Sequence, residues 1–180
     1  MSFDSDLNQD ESPKRTKVYL NVYDLTKVNG LLYPAGLGLN HTGVEVMGSE
    51  YSYATGVGIV ESTPKEAPVG ATFRESIDLG SFEKGGDLKH AIANLSREFG
   101  PRNYNLFTKN CNHFSNAIVF YLLEIDIPSH INRMADMGSY VSCLLPKQVL
   151  EGAPVGGNSR SGGIQVYRGE NISGFGWRFT

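Results

Sequence analysis

The chain holds two cysteines, Cys111 and Cys143, and four histidines, His41, His90, His113 and His130. A thiol and an imidazole can together carry out acyl transfer: the sulfur attacks a carbonyl while the ring moves the proton. Cys111 follows Asn110, a residue type favoured at helix N-caps, and heads the run NHFSNAIVFYLLE. A sulfur there meets unpaired N–H groups and the positive end of the helix dipole. With a His nearby, such a thiol can fall from about 8.5 to roughly 3.5–7.5. The same position also suits a cysteine that only packs, because Cys is among the most buried residue types. Position alone leaves both readings open. Cys143 lies in the apolar stretch VSCLLP, without a basic partner or helix start, and reads as a packing residue.

The base must come from the histidines. His113 is two residues from Cys111, and positions i and i+2 of a helix point about 200° apart, so it cannot meet the sulfur. The same geometry removes a Cys111–His113 metal pair, and no CxxC or HExxH spacing occurs. Neither a metal nor a cofactor is expected. His90 falls on the polar side of a surface helix, and His130 follows Pro128 in a turn. His41 heads the segment HTGVEV after the Gly-rich loop NGLLYPAGLGLN, which puts its ring at a strand end where a groove can form. A lone loop histidine there is commonly a capping or hydrogen-bonded residue. A thiol on a central helix beside an imidazole on a strand is what a Cys–His hydrolase needs, and pairing raises both candidates.

The elements that would hold the pair follow from periodicity. In VYLNVYDL, Val18, Leu20 and Val22 alternate with Tyr19, Asn21 and Tyr23, as in a strand with two faces. HTGVEVMGSEYSYA predicts two short strands around a Gly48-Ser49 turn, continued by GVGIVES, in a β-meander. Leu88, Ala91, Ile92, Leu95 and Phe99 share one face of a helix over 87–99 that stops at Gly100-Pro101. The helix from Asn110-Cys111 is apolar or aromatic at every position from Ala117 to Leu123, which predicts burial on all sides. A short helical segment is expected over 129–136. The fold class is α+β.

Length and composition bound the rest. A chain of 180 residues with 40% apolar and 19% charged residues is one domain with a real core. Its organisation reads as an acidic leader over 1–15, a folded domain over 16–150 and a Gly-rich tail over 151–180 that holds eight of the 21 glycines. A net charge of −3 removes the electrostatic drive toward nucleic acid. No apolar run reaches the about 20 residues that span a bilayer, and the N-terminus is polar and acidic where a signal peptide is basic, then apolar. The cytosol, or the nucleus, is the expected compartment, with both thiols free.

The boxes HTGVEVMGSEYSYA and YNLFTKNCNHFSNAI, with VYLNVYDL before and INRMA and SCLLPK after, resemble the PPPDE superfamily over about residues 17 to 150. That superfamily comprises permuted-papain-fold thiol peptidases, including the DeSI isopeptidases. The resemblance implies a circularly permuted papain-like fold, in which a central helix carrying the Cys packs on a small antiparallel β-sheet or barrel. It also implies His41 as the catalytic histidine and Cys111 as the nucleophile, with no cofactor. Ile131, Asn132, Arg133 and Ala135, with the Cys143 segment, are similar to the subgroup associated with deubiquitinating and protein-depalmitoylating activity. The subgroup known for SUMO cleavage is less similar beyond the Cys box. The implied partners are conjugates of ubiquitin or a ubiquitin-like protein, or S-acylated proteins.

The implied mechanism has Cys111 thiolate, paired with His41 imidazolium, attack an isopeptide or thioester carbonyl. The Cys111 backbone N–H serves as oxyanion donor. Two rival readings are a lecithin-retinol-acyltransferase-like hydrolase and a non-catalytic module binding a ubiquitin-like tail. The former usually carries a second His about a dozen residues after the first and a hydrophobic anchor, and Tyr53 stands here instead. The latter needs neither His41 nor Cys111. Cys111→Ala and His41→Ala are each expected to abolish hydrolysis with the fold intact, and the double mutant to be little worse than either, because the pair acts as one unit. Steady-state turnover of the three folded variants checks this.

Overall fold

The computed structural model describes residues 15–26, 29–32, 38–83, 87–131 and 165–167. The chain enters through β1 (Arg15–Asp24), makes the short helix α1 (Asn29–Leu32) and builds the meander β2 (Asn40–Val46), β3 (Ser49–Ala54) and β4 (Gly58–Ser62). Strand β5 (Thr72–Glu83) returns to β1, and helices α2 (Asp87–Glu98) and α3 (Cys111–Leu123) follow. A 3₁₀ turn at Ser129–Ile131 and strand β6 (Gln165–Tyr167) complete the described elements. The six strands form one sheet, in the order β5-β1-β2-β3-β4-β6. Every neighbouring pair is antiparallel, and the fold is α+β as the sequence periods predict.

Alternation explains how the sheet acquires one apolar face. Val18, Leu20 and Val22 of β1 stand opposite Val46, Val44 and Thr42 of β2, so a buried row continues from strand to strand. Against it pack Phe114, Ile118 and Val119 of α3 and Ala91 and Ile92 of α2. Tyr53 on β3 joins this core, with its ring 5.2 Å from Phe99 and 6.3 Å from Phe114.

Several elements depart from the expectations. The β2–β3 turn is centred on Met47 and Gly48, one residue earlier than expected, with φ of 54° and 83°. Two successive left-handed residues suit the strand twist of a two-residue hairpin, and glycine fills the second position. The strand β5 was not expected. It is an edge-like strand whose residues are exposed or half-buried, so its alternation carries little hydrophobic contrast. Ion pairs Arg74–Asp24 at 2.7 Å and Lys17–Asp78 at 2.8 Å tie it to β1.

Within the expected tail, Gln165–Tyr167 pairs with β4, Val166 standing opposite Val60. Helix α3 is not buried all round, since Phe120 is 55% and Tyr121 43% exposed. A sheet covers one side of a helix only, and here it covers the stripe of Cys111, Phe114, Ile118 and Leu122. Of the segment 129–136, only the 3₁₀ turn is described. Asn132, Arg133, Ala135 and Cys143 lie outside the described residues, as do positions 1–14 of the leader. Among the described residues no helix is long and apolar enough to cross a membrane.

Phe114 is fully buried between Tyr53 and Phe99, so its removal leaves a cavity under the start of α3. Phe114→Ala is expected to cost about 3–5 kcal/mol of stability, read from urea unfolding midpoints.

Candidate active site

The site is built from the start of α3. Asn110 holds an extended backbone, φ −108° and ψ −172°, and its side chain accepts the His113 N–H at 3.0 Å. The His113 side chain closes the reciprocal bond to the Asn110 backbone, a capping box with His where Glu or Gln is usual. His113 is thus engaged in the cap, in keeping with its exclusion as the base. Asn110 Nδ2 also donates to the Leu106 carbonyl at 2.8 Å, and two backbone bonds of 3.0 and 2.9 Å join Asn105 to Lys109. The loop before Cys111 is therefore closed on itself, and the sulfur emerges from the first residue of α3 at a fixed place.

A second set of bonds fixes this helix start on β2. Thr42 Oγ1 donates to Asn112 Oδ1 at 2.9 Å and shares a 2.8 Å bond with Ser115 Oγ, all three residues being buried. Asn112 Nδ2 reaches the Ile131 carbonyl at 3.2 Å. The same Asn112 Oδ1 accepts from the Cys111 S–H at 3.6 Å. Thr42 directly follows His41, so Asn112 links the start of β2 to the thiol. His41 lies at the beginning of β2, opposite Tyr23 in the ladder, with ring centroids 5.9 Å apart. His90 is exposed on α2, and His130 lies on the 3₁₀ turn.

Both chemical groups are dry. Cys111 is 4% and His41 3% exposed. Burial pushes the Cys111 thiol up to about 11, against the Thr42, Asn112 and Cys111 backbone N–H groups and the Tyr104 hydroxyl, which pull it down. Burial lowers His41 to about 4. The helix-start donors expected from the sequence are present, yet desolvation outweighs them. Burial thus favours the neutral thiol and the neutral imidazole, whereas the sequence led to a lowered thiol and an ion pair. Among the described residues, His41 Nδ1 has no hydrogen-bond partner, and no group of His, Cys, Asp or Glu could hold a metal ion.

Sequence reasoning missed the residues around the pair. Glu50 is buried in β3, where Tyr23 Oη contacts both its carboxylate oxygens at 2.8 Å and Asn21 Nδ2 donates at 2.6 Å. The Lys65 N–H adds a bond of 3.0 Å. Burial raises the Glu50 carboxyl, while these donors pull it down. Its side chain runs over Gly43, where any Cβ would overlap the carboxylate. This accounts for the glycine two residues after His41. Thr42 and Asn112 also went unremarked, although each adjoins a candidate in sequence. The hint for Glu50 was an acidic residue inside an otherwise aromatic strand.

His41 also couples the fold to pH. Its folded-state value near 4 lies below the ordinary 6.5, so between those values the unfolded chain binds a proton that the folded chain refuses. The stability is present above about pH 6.5 and is lost as pH falls toward about 4, by about 3 kcal/mol. His41→Asn should flatten this loss. Urea midpoints of wild type and variant at about pH 7 and about pH 4.5 measure it, and equal acid losses in both would show that His41 is not the source.

Residues 16–149 match the family described as the PPPDE putative peptidase domain. A DeSI-like protein of Arabidopsis thaliana is 41% identical over 139 residues, covering 74% of this chain and 62% of the relative. The desumoylating isopeptidase 1 homolog of Caenorhabditis elegans is 37% identical over 139 residues, 73% of this chain and 42% of the relative. Desumoylating isopeptidase 1 of Homo sapiens is 34% identical over 131 residues, 67% and 76% of the two chains. The chain spans less than two thirds of the length of the plant and nematode relatives. The matched span contains the whole site, from β1 through His41 to Cys111, and the chain belongs to the PPPDE peptidase family.

Proposed function

We propose that the chain is a thiol isopeptidase that releases a ubiquitin-like modifier from proteins, with Cys111 as nucleophile and His41 as its base. The observation that carries this reading is Asn112 Oδ1, which meets both the hydroxyl of Thr42, one residue from His41, at 2.9 Å and the Cys111 sulfur at the helix start at 3.6 Å. Support for the substrate class comes from the nematode and human relatives, both named desumoylating isopeptidases. SUMO is therefore the first modifier to test and ubiquitin the second. The segments behind the deubiquitinating resemblance, apart from Ile131, lie outside the described residues.

The neutral resting pair sets the order of events. Sγ attacks the isopeptide carbonyl as His41 takes the thiol proton, so no free thiolate has to persist in a dry site. The carbonyl oxygen gains charge beside the Cys111 N–H, which has no partner inside the helix. His41 then passes its proton to the leaving lysine amine as the C–N bond breaks. Water attacks the resulting thioester, with His41 taking its proton, and the sulfur leaves with that proton restored. Atoms and charge return to the starting state.

C-terminal electrophile derivatives of SUMO and ubiquitin, run beside an acyl-thioester probe, separate the substrates. The expected result is a covalent SUMO adduct on wild-type protein that is absent from Cys111→Ala. An adduct with ubiquitin alone would move the substrate within the class, and reaction with the acyl probe alone would indicate a protein thioesterase. Reversible SUMO binding without an adduct would indicate a binding module.

A further inference from the structure

The imidazole of His41 is buried, and its Nδ1 has no hydrogen-bond partner among the described residues. A catalytic histidine is ordinarily oriented by a hydrogen bond to one ring nitrogen while the other serves as base. Nδ1 provides no such hold, so the placement of the imidazole depends on what packs against it. The antiparallel ladders set three rings in a row across the sheet. His41 of β2 stands opposite Tyr23 of β1, and Tyr23 stands opposite Phe73 of β5. Side chains directly opposite share a face of the sheet. The ring centroids are 5.9 Å apart for Tyr23 and His41 and 5.7 Å apart for Tyr23 and Phe73, both within the about 4.5–7 Å of aromatic pairs. The Tyr23 and His41 planes are tilted by 44°, and Phe73 meets Tyr23 edge-on at 70°.

We propose that Tyr23 is the positioning residue of the catalytic pair: pinned at its hydroxyl by Glu50, its ring fixes where the His41 imidazole sits at the head of β2. Tyr23 is fully buried, and its hydroxyl lies 2.8 Å from each Glu50 carboxylate oxygen. Glu50 is held in turn by Asn21 Nδ2 at 2.6 Å and the Lys65 N–H at 3.0 Å. A phenylalanine at position 23 would pack but would have no such anchor. Held at the hydroxyl end and packed between neighbours on β2 and β5, the Tyr23 ring has little freedom to turn, and the imidazole beside it inherits that constraint. Packing thus does what a third, hydrogen-bonding residue does in a Ser-His-Asp or Cys-His-Asn arrangement. The fixity matters because a reacting group misplaced by about 1 Å can lose about 100-fold in rate.

This assignment rests on His41 being the base for Cys111, and the test separates the two. Chloroacetamide alkylates the Cys111 sulfur with loss of chloride and needs no modifier conjugate; at about pH 7 its rate reads how well His41 takes the thiol proton. Peptide mapping separates Cys111 from Cys143. His41→Ala is expected to slow alkylation of Cys111 about 100-fold. Tyr23→Leu removes the ring and is expected to slow it about 10-fold in the wild-type chain but not in His41→Ala, because Tyr23 acts through the imidazole. Tyr23→Phe, which loses only the bond to Glu50, should fall between wild type and Tyr23→Leu. If Tyr23→Leu does not fold, Tyr23→Phe carries the same comparison. On whichever modifier probe wild type turns over, both variants should lower kcat with little change in KM. A site that is merely loosened would change alkylation alike in both backgrounds, and that result overturns the proposal, as do wild-type rates in the Tyr23 variants. Undiminished alkylation in His41→Ala alone would remove His41 as the base, and the positioning by Tyr23 with it.

Discussion

The placement of the site depends on one buried polar contact, the set of bonds from Thr42 to Asn112 and Ser115. The apolar face of α3 would tolerate sliding along the sheet, because dispersion contacts between aliphatic side chains are not directional. A buried hydroxyl and a buried amide do not tolerate it. Each left without a partner costs about 1–3 kcal/mol, so a shift of one residue along β2 would strand several groups together. The helix therefore docks in one register, and that register links the thiol to the start of β2 through Asn112. The capping box at Asn110 acts from the other direction, fixing where the helix begins. Together they define the position of Sγ with no bond to the histidine itself.

The opposite side of the sheet carries a second polar arrangement with a different purpose. Glu50 is buried away from water, and its carboxylate is satisfied by Tyr23, Asn21 and the Lys65 N–H. This gathers β1, β3 and the chain after β4 around β2, where only a glycine at position 43 leaves room. Because Tyr23 both contacts Glu50 and lies beside the His41 ring, the carboxylate network also supports the start of β2. A buried acid in a strand is costly unless several donors meet it, and here they come from two separate segments, β1 and the chain after β4.

The dryness of the site decides its chemistry. A helix start and several N–H donors favour a thiolate, yet removing sulfur and imidazole from water favours their neutral forms more strongly. In a water-filled cleft the same groups would ionise more readily. Enclosed as they are, in the proposed reaction the charge separation belongs to the chemical step, and the donors around the sulfur become transition-state contacts more than ground-state ones. The loop before Cys111 is closed on itself by the Asn105–Lys109 bonds and by Asn110 on the Leu106 carbonyl.

Much of this was legible in the residues. Hydrophobic alternation in β1 through β4, the periods of α2 and α3, the Asn110 cap and the exclusion of His113 are local properties, set by neighbours within a few positions, and local rules read them. His41 and Cys111 stood out because reactive side-chain types at element ends are few. The strand β5 and the short strand β6 were not legible, because their pairing is with distant β1 and β4 and their own patterns carry weak contrast. Nor were Tyr23, Glu50, Thr42 and Asn112, whose roles arise from contacts across up to 73 positions of sequence. The charge state was the furthest from reach. Sequence names the groups that can ionise and the helix end that favours an anion, but the balance between donors and desolvation is set by how completely the folded chain excludes water, and only the tertiary structure decides that.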